Sequence, residues 1–154
     1  MKEVGILAYS DRELLARIVQ CEADSEGDTG MKAVATVTMN RVNATEGEYA
    51  RVSQGGSIRN IIFQNGQYDC TMETILNKYN PQNIYNMNPT EIHYNIADWA
   101  LAGNRLNEIG DCLWYFNPFK PTCVPTFPYN GSGTFHTRYG KHCFYRPTSK
   151  YSQT

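Results

Sequence analysis

The sequence lacks a long apolar run. Near its start the longest, Val4–Tyr9, is too short for the core of a signal peptide and far too short to cross a bilayer, and Asp11, Arg12 and Glu13 follow it directly. The expectation is a chain made without a classical secretory signal and with no membrane partner. Internal repeats and low-complexity segments are also missing. At 41% hydrophobic, 12% aromatic and 19% charged residues, the composition excludes disordered, collagen-like and coiled-coil chains. No Cys-x-x-Cys pair is present, and the acidic stretch of residues 24–30 (DSEGDTG) lacks the alternating ligands and closing glutamate of an EF-hand. Residues 113–154 contain no carboxylate side chain.

That last absence splits the charge. A net charge of −1 conceals −6 over residues 1–112, where 9 Lys and Arg face 15 Asp and Glu, and +5 over residues 113–154, from Lys120, Arg138, Lys141, Arg146 and Lys150. The basic segment also holds 11 of the 19 aromatic residues. Core packing takes up most such rings. Others stack on flat partners, either nucleobases or the C–H faces of sugars, and no nucleic-acid motif accompanies them here.

The 154 residues suit about one domain. Ser10-Asp11-Arg12-Glu13 is a capping box, and Leu15, Ile18, Val19 and Glu22 then share one helical stripe. Two glycines and short polar residues break that helix over 24–30. A second helix is expected from about Thr29 to Val42, with Met31, Val34, Ala35, Thr38 and Val42 facing inward. Residues 43–57 read as a loop, Ser57–Phe63 and Thr71–Tyr79 as short helices, and 80–88 as a Pro- and Asn-rich loop. Asn88-Pro89-Thr90-Glu91 starts a helix that buries Ile92, Ile96, Trp99 and Ala100 and ends at Gly103. Beyond Gly110, Leu113–Phe116, Thr134–Tyr139 and His142–Tyr145 are strand candidates. The expected fold class is α+β in a single domain, with a helical body over about 10–110 and a β-rich lobe over about 111–147. Five cysteines cannot all pair within one chain. Reduced thiols are the default expectation without a secretory signal, and Cys123 with Cys143 is the pair to watch for a disulfide.

Glu22 is the most informative single residue. A carboxyl group at the end of a buried stripe loses hydration, which raises its pKa and equips it as a general acid. The competing reading is a salt-bridged helix-end residue. Glu26, one turn on, and the nearby Asp24 and Asp28 offer a second carboxylate for a glycosidase pair, or else form a solvated loop. Cys123, His136, His142 and Cys143 are zinc-type ligands without zinc-type spacing, so no metal is expected. Cys21 has no histidine placed to activate it as a nucleophile.

Taken together, these residues resemble the SleB/CwlJ-type spore cortex-lytic cell wall hydrolases. Leu14-Leu15-Ala16-Arg17-Ile18-Val19, Cys21-Glu22-Ala23 and Glu26-Gly27 are similar to the family helix L-A-R-x-x-x-x-E-A-x-x-E-G. Gly30, Val34-Ala35 and Asn40-Arg41-Val42 resemble G-x-x-x-V-A-x-x-x-x-N-R-V. Ile61-Ile62-Phe63-Gln64 with Tyr68 resembles I-x-Q-x-x-x-F. Leu113-Trp114-Tyr115-Phe116-Asn117-Pro118 and Lys141-His142-Cys143-Phe144-Tyr145 resemble L-W-Y-F-x-P and K-x-H-C-F-Y. The small size, Cys123, the Cys of the last motif and the missing secretory signal favour the CwlJ branch. Residues 43–60 and 79–90 match no family pattern, and 119–139 is richer in Pro and Gly than the family.

The resemblance implies a lysozyme- and lytic-transglycosylase-like helical body with the small β lobe attached. It implies cleavage between N-acetylmuramic acid and N-acetylglucosamine in spore cortex peptidoglycan during germination, in cortex containing muramic-δ-lactam. Glu22 would be the single catalytic acid/base, with Glu26 a secondary carboxylate if water attacks. Asn40, Gln64, Tyr68, Trp114, Tyr115, Asn117, His142 and Tyr145 would bind substrate, although each also has a packing role open to it. No cofactor is implied, only activation by calcium dipicolinate. The implied partners are cortex peptidoglycan and a coat protein of GerQ type, at the boundary of endospore coat and cortex. The alternatives are a non-catalytic peptidoglycan-binding or coat module, and a Cys/His amidase acting on stem peptides.

Overall fold

The computed structural model describes residues 9–64 and 66–154. The Val4–Ala8 part of the first apolar run lies outside them. Helix α1 spans Asp11–Ala23, and the Ser10 hydroxyl accepts from the Glu13 amide as the capping box requires. A single 3-10 turn, Asp24–Glu26, leads into α2, Gly27–Val42, two residues earlier than its pattern indicated. α2 is the central helix. Ala33, Thr36, Val37 and Arg41 are buried along with the expected inner face, because neighbours surround it on several sides. Leu14, Leu15, Ile18, Val19, Ile61, Ile62 and Ile96 close the main core at 0–2% exposure. Each such aliphatic side chain contributes roughly 1.5–3 kcal/mol of burial.

Three local expectations are corrected. Residues 47–53 form a helix, α3 (Gly47–Ser53), not loop. Its cap carries no side-chain bond, so nothing marks it locally. It forms because Tyr49 packs under Trp114 and Tyr151, its ring centroids 6.2 and 6.1 Å from theirs. α4 (Ile58–Ile62) follows as expected. The expected helix at Thr71–Tyr79 is instead a 3-10 turn, Asp69–Thr71, and a small hairpin of β1 (Thr74–Ile75) and β2 (Lys78–Tyr79). Leu76 and Asn77 take left-handed backbone angles at its tip, which no helix tolerates. α5 (Glu91–Leu101) starts at cap Thr90 rather than Asn88, and the His93 ring completes the box by accepting from the Thr90 amide at 2.9 Å. His93, Ile96, Ala97 and Ala100 face inward, while Ile92 is 44% exposed and Trp99 only half-buried, so the expected buried face is corrected at Ile92 and Trp99.

The C-terminal lobe is a three-stranded antiparallel sheet in the order β3 (Trp114–Phe116), β5 (His142–Pro147), β4 (Gly133–Tyr139). Trp114 pairs with Tyr145, Tyr115 with Phe144 and Phe116 with Cys143. Alternation therefore puts Tyr115 and Phe144 on the face toward α2, where Phe144 meets Ala33, Val37 and Ile109. Two disulfides form where reduced thiols are the default expectation: Cys123–Cys143 at the sheet, the pair the sequence singles out, and Cys21–Cys70 in the helical body, which it does not; Cys112 is free and buried. The observed fold is the expected α+β arrangement. No helix among the described residues is long and apolar enough to cross a membrane.

Candidate active site

Glu22 lies in the last turn of α1 and lines a cleft of about 660 Å³ between the helical body and the sheet. Its two oxygens have different neighbours. The Tyr115 hydroxyl donates to Oε1 at 2.6 Å. Oε2 lies 3.1 Å from Cys70 Sγ. Because Cys70 is bonded to Cys21, that sulfur has no hydrogen and can act only as a weak acceptor. The protein around the carboxyl disfavours its charged form and pushes its pKa up to about 7. The Tyr115 hydrogen bond opposes this rise, the negative charge of Asp69 adds to it, and the Arg41 cation opposes it. Burial and the facing carboxylate push the Tyr115 pKa well above the ordinary range, so this hydroxyl remains a donor. Glu22 is thus a carboxylic acid held near neutrality, with its proton favoured on the oxygen facing the disulfide.

Glu26, one turn along the chain, has a different role. Its Oε2 lies 2.5 Å from His142 Nδ1, and its Oε1 accepts from the Lys141 amide at 3.0 Å. A Cβ on Gly140, whose φ is +54°, would come within 2.7 Å of Glu26 Oε1, and one on Gly30 within 2.5 Å of Glu26 Cβ. Gly30, from the second motif, and Gly140, just before Lys141, therefore make room for the Glu26 side chain. Glu26 fastens the 3-10 turn after α1 to the β4–β5 hairpin, and its partners occupy it as a secondary carboxylate. The carboxylate that does line the cleft beside Glu22 is the exposed Asp69.

Of the other expected substrate contacts, Tyr115, Asn117 and His142 line the cleft. His142 packs edge-on to the Tyr115 ring at 5.2 Å. Trp114, 6% exposed, lines an adjoining cavity. Four residues are placed away from the cleft. Asn40 Nδ2 donates to the Gly110 and Cys112 carbonyls, both at 2.9 Å, and ties α2 to the start of the sheet. Gln64 donates to Glu48 at 2.8 Å. Tyr68 is 1% exposed, with its hydroxyl 2.8 Å from Thr38 Oγ1. Tyr145 is fully buried and donates to the Val124 carbonyl at 2.9 Å. The motif residue Arg17 is structural as well, holding the Ile84 and Met87 carbonyls at 2.9 Å.

Two cleft residues escaped the sequence reading. Arg41 carried a usable signal, since it sits three residues after Thr38 on the inward stripe of α2, a charge on an apolar face like Glu22. Asp69 carried none, because the turn that presents it depends on the Cys21–Cys70 link. Among the described residues, Cys21, Glu22 and Cys70 are the group close enough to share a metal, but the two sulfurs are bonded to each other. Of the zinc-type set, Cys123 and Cys143 are likewise bonded, while His136 meets the Glu108 carbonyl and His142 meets Glu26.

The family described as Cell Wall Hydrolase matches residues 25–145, a span that begins just after Glu22. The cell wall hydrolase CwlJ of Halalkalibacterium halodurans is 29% identical over 140 residues, covering 90% of this chain and 87% of that protein. CwlJ of Bacillus subtilis (strain 168) is 29% identical over 141 residues, covering 92% and 88%. The catalytic domain of the germination-specific lytic transglycosylase SleB from Bacillus anthracis shares the fold, with a TM-score of 0.63 at 24% identity over 90% of this chain and 98% of that one. The catalytic domain of the Bacillus cereus SleB protein gives a TM-score of 0.60 at 25% identity over 90% and 93%. With most of its length matched and an acid-bearing cleft at the junction of body and sheet, the chain belongs to the cell wall hydrolase family and is a peptidoglycan-lytic enzyme.

Proposed function

We propose that this enzyme cleaves peptidoglycan glycan strands between N-acetylmuramic acid and N-acetylglucosamine, with Glu22 as its single acid/base. The observation that carries the reading is the environment of Glu22: a cleft-facing carboxyl whose pKa is raised to about 7, with its Oε1 fixed by Tyr115. Glu22 protonates the glycosidic oxygen as the bond to the muramic C1 breaks. The resulting carboxylate takes the proton of the muramic 6-hydroxyl, whose oxygen closes on C1 to give a 1,6-anhydro end. One carboxyl suffices because the sugar supplies the nucleophile, and its tethering replaces a second bound reactant. A hydrolytic variant has one observation in its favour: Asp69 lines the same cleft and is a carboxylate that can receive the proton of an attacking water.

The likeness to CwlJ and SleB supports the setting of this activity, which we place in the cortex of the bacterial endospore during germination. The CwlJ-like features extend this to deposition at the coat–cortex boundary beside a GerQ-type coat protein, with calcium dipicolinate as activator and muramic-δ-lactam-containing strands as substrate. Mass spectrometry of fragments released from purified cortex tests the chemistry. Anhydromuramic ends are expected from the intact enzyme, and reducing muramic ends identify the hydrolytic variant. Glu22→Gln should lower the rate by about 10²–10⁴-fold. Undiminished activity in Glu22→Gln would overturn the assignment; a Cys/His amidase is disfavoured in any case, because Cys21, Cys70, Cys123 and Cys143 are in disulfides and Cys112 is buried.

A further inference from the structure

Arg41 is a buried cation with an unused donor. It is 3% exposed. Its Nε donates to the Leu113 carbonyl at 2.7 Å, and its guanidinium lies 5.0 and 5.2 Å from the ring centres of Tyr49 and Tyr68. Among the described residues, its Nη1 has no hydrogen-bond partner. Removing a charged donor from water without pairing it is costly, and such groups mark places where a ligand completes the bonding.

The surroundings indicate what that ligand is. Arg41 lines both the Glu22 cleft and a side cavity of about 270 Å³, and Gln67, Tyr115 and Phe127 line both as well. The side cavity therefore adjoins the cleft where the acid sits. Gln67 Oε1 accepts from the Tyr49 hydroxyl at 2.7 Å, which fixes the amide orientation and leaves its Nε2 as a donor. Arg41 and Gln67 together call for an acceptor oxygen. That oxygen does not belong to a carboxylate, because Glu48 lines the cavity and Asp69 lines the cleft beside it. A neutral carbonyl escapes this repulsion. Glu48 in turn suits an N–H, and Trp114 and Phe127 supply apolar wall. A carbonyl, an N–H and a small apolar group together make a secondary amide.

We propose that Arg41 and the side cavity form a subsite for the secondary amide of a hexosamine, either its acetamido group or a lactam fused to the ring. The proposal rests on the glycan-cleaving reading above and names the part of the sugar that this enzyme grips. By placing the amide, the subsite would fix which ring lies against Glu22.

The test uses Glu22→Gln, which removes turnover and the titration of Glu22, combined with Trp99→Phe, which leaves Trp114 in the cavity wall as the only tryptophan. Trp114 emission is titrated with tri-N-acetylchitotriose and with its de-N-acetylated counterpart, at mildly alkaline pH where the free amines are largely uncharged. The acetylated trimer should bind about tenfold tighter or more, the scale of one charge-assisted hydrogen bond. Arg41→Met should abolish that preference, and Arg41→Lys should restore part of it. Equal binding of the two trimers overturns the proposal, as does a preference that survives in a folded Arg41→Met chain. The comparison of trimers needs no change at Arg41, so it decides the matter even where Arg41→Met does not fold. Cortex oligosaccharides with and without lactam then identify the amide source, and tighter binding of either class over de-N-acetylated strands supports the subsite. Cortex digestion separates the two claims. New glycan ends with indifferent trimer binding sink the subsite alone. Amide-selective binding without new glycan ends sinks the cleavage reading alone.

Discussion

The helical wall and the β wall of the cleft meet at two glutamates one turn apart, and the two meetings differ. At Glu22 the sheet offers a neutral hydroxyl, Tyr115, and the body offers a disulfide sulfur and the negative Asp69. At Glu26 the sheet offers an imidazole and a backbone amide, under two glycines. The first setting leaves the carboxyl short of compensation, so it holds its proton. The second engages both oxygens, so it works as a fastener. The same residue type becomes acid or clamp according to what the opposite wall brings to it. Each wall also carries its own disulfide, Cys21–Cys70 in the body and Cys123–Cys143 in the lobe.

The largest expected effects come from removing those disulfides. Cys21 and Cys70 are 49 residues apart, and Cys123 and Cys143 are 20 apart. In the chain-entropy model their loss costs about 4 and about 3 kcal/mol respectively. Paired Cys→Ser variants followed by thermal unfolding should both show lower Tm, the first by slightly more. The sharper contrast lies in activity. Loss of Cys21–Cys70 frees the turn that carries Asp69 and removes the sulfur beside Glu22, so the rate should fall more than stability alone explains. Loss of Cys123–Cys143 should act through stability. Equal residual activity in the two folded variants would break the distinction between the walls.

Two substitutions around Glu22 should shift its titration in opposite directions. Tyr115→Phe removes a bond to the charged form, so the pKa rises; the rate falls about tenfold, and its alkaline limb moves to higher pH. Asp69→Asn removes a like charge, so the pKa falls and the limb moves to lower pH. Profiles of lytic rate against pH that shift the same way in both variants would contradict the opposed-wall account. The smallest effect concerns the charge split. Lys141 is exposed at the cleft, and Arg138 is held nearby by the Lys120 and Gly140 carbonyls. Peptidoglycan carries carboxylates on its stem peptides, so salt, Lys141→Ala and Arg138→Ala should each weaken sedimentation with cell walls several-fold. Indifference to all three would assign the basic lobe to some purpose other than substrate.

The sequence made these walls unequally legible. α1 was readable to the residue because capping and an uninterrupted aliphatic stripe are local signals, and Glu22 was conspicuous as a carboxylate on that stripe. Tyr115 lay inside a strand marked by three consecutive aromatics, Trp114-Tyr115-Phe116. By contrast, α3 depends on Tyr151, about a hundred residues away, and the β1–β2 hairpin depends on two left-handed residues with no glycine to announce them. Asn40, Gln64, Tyr68 and Tyr145 look like binding residues in a motif, yet Asn40 ties the body to the start of the sheet, Gln64 and Tyr68 bond within the body, and Tyr145 bonds within the C-terminal lobe. The Cys21–Cys70 bond was hidden because five cysteines allow many pairings, and the missing secretory signal argued for thiols. Arg41 shows that a charge on an inward stripe deserves the same notice as Glu22 received.

The central claim is that the two walls hold Glu22 as an acid near neutral pH. A carbon-13 NMR titration of the glutamate carboxyl groups tests it directly, with the Glu22 signal identified by its disappearance in Glu22→Gln. The account predicts a midpoint close to 7, well separated from the other glutamates. A midpoint in the ordinary glutamate range, about 4.3, would contradict it.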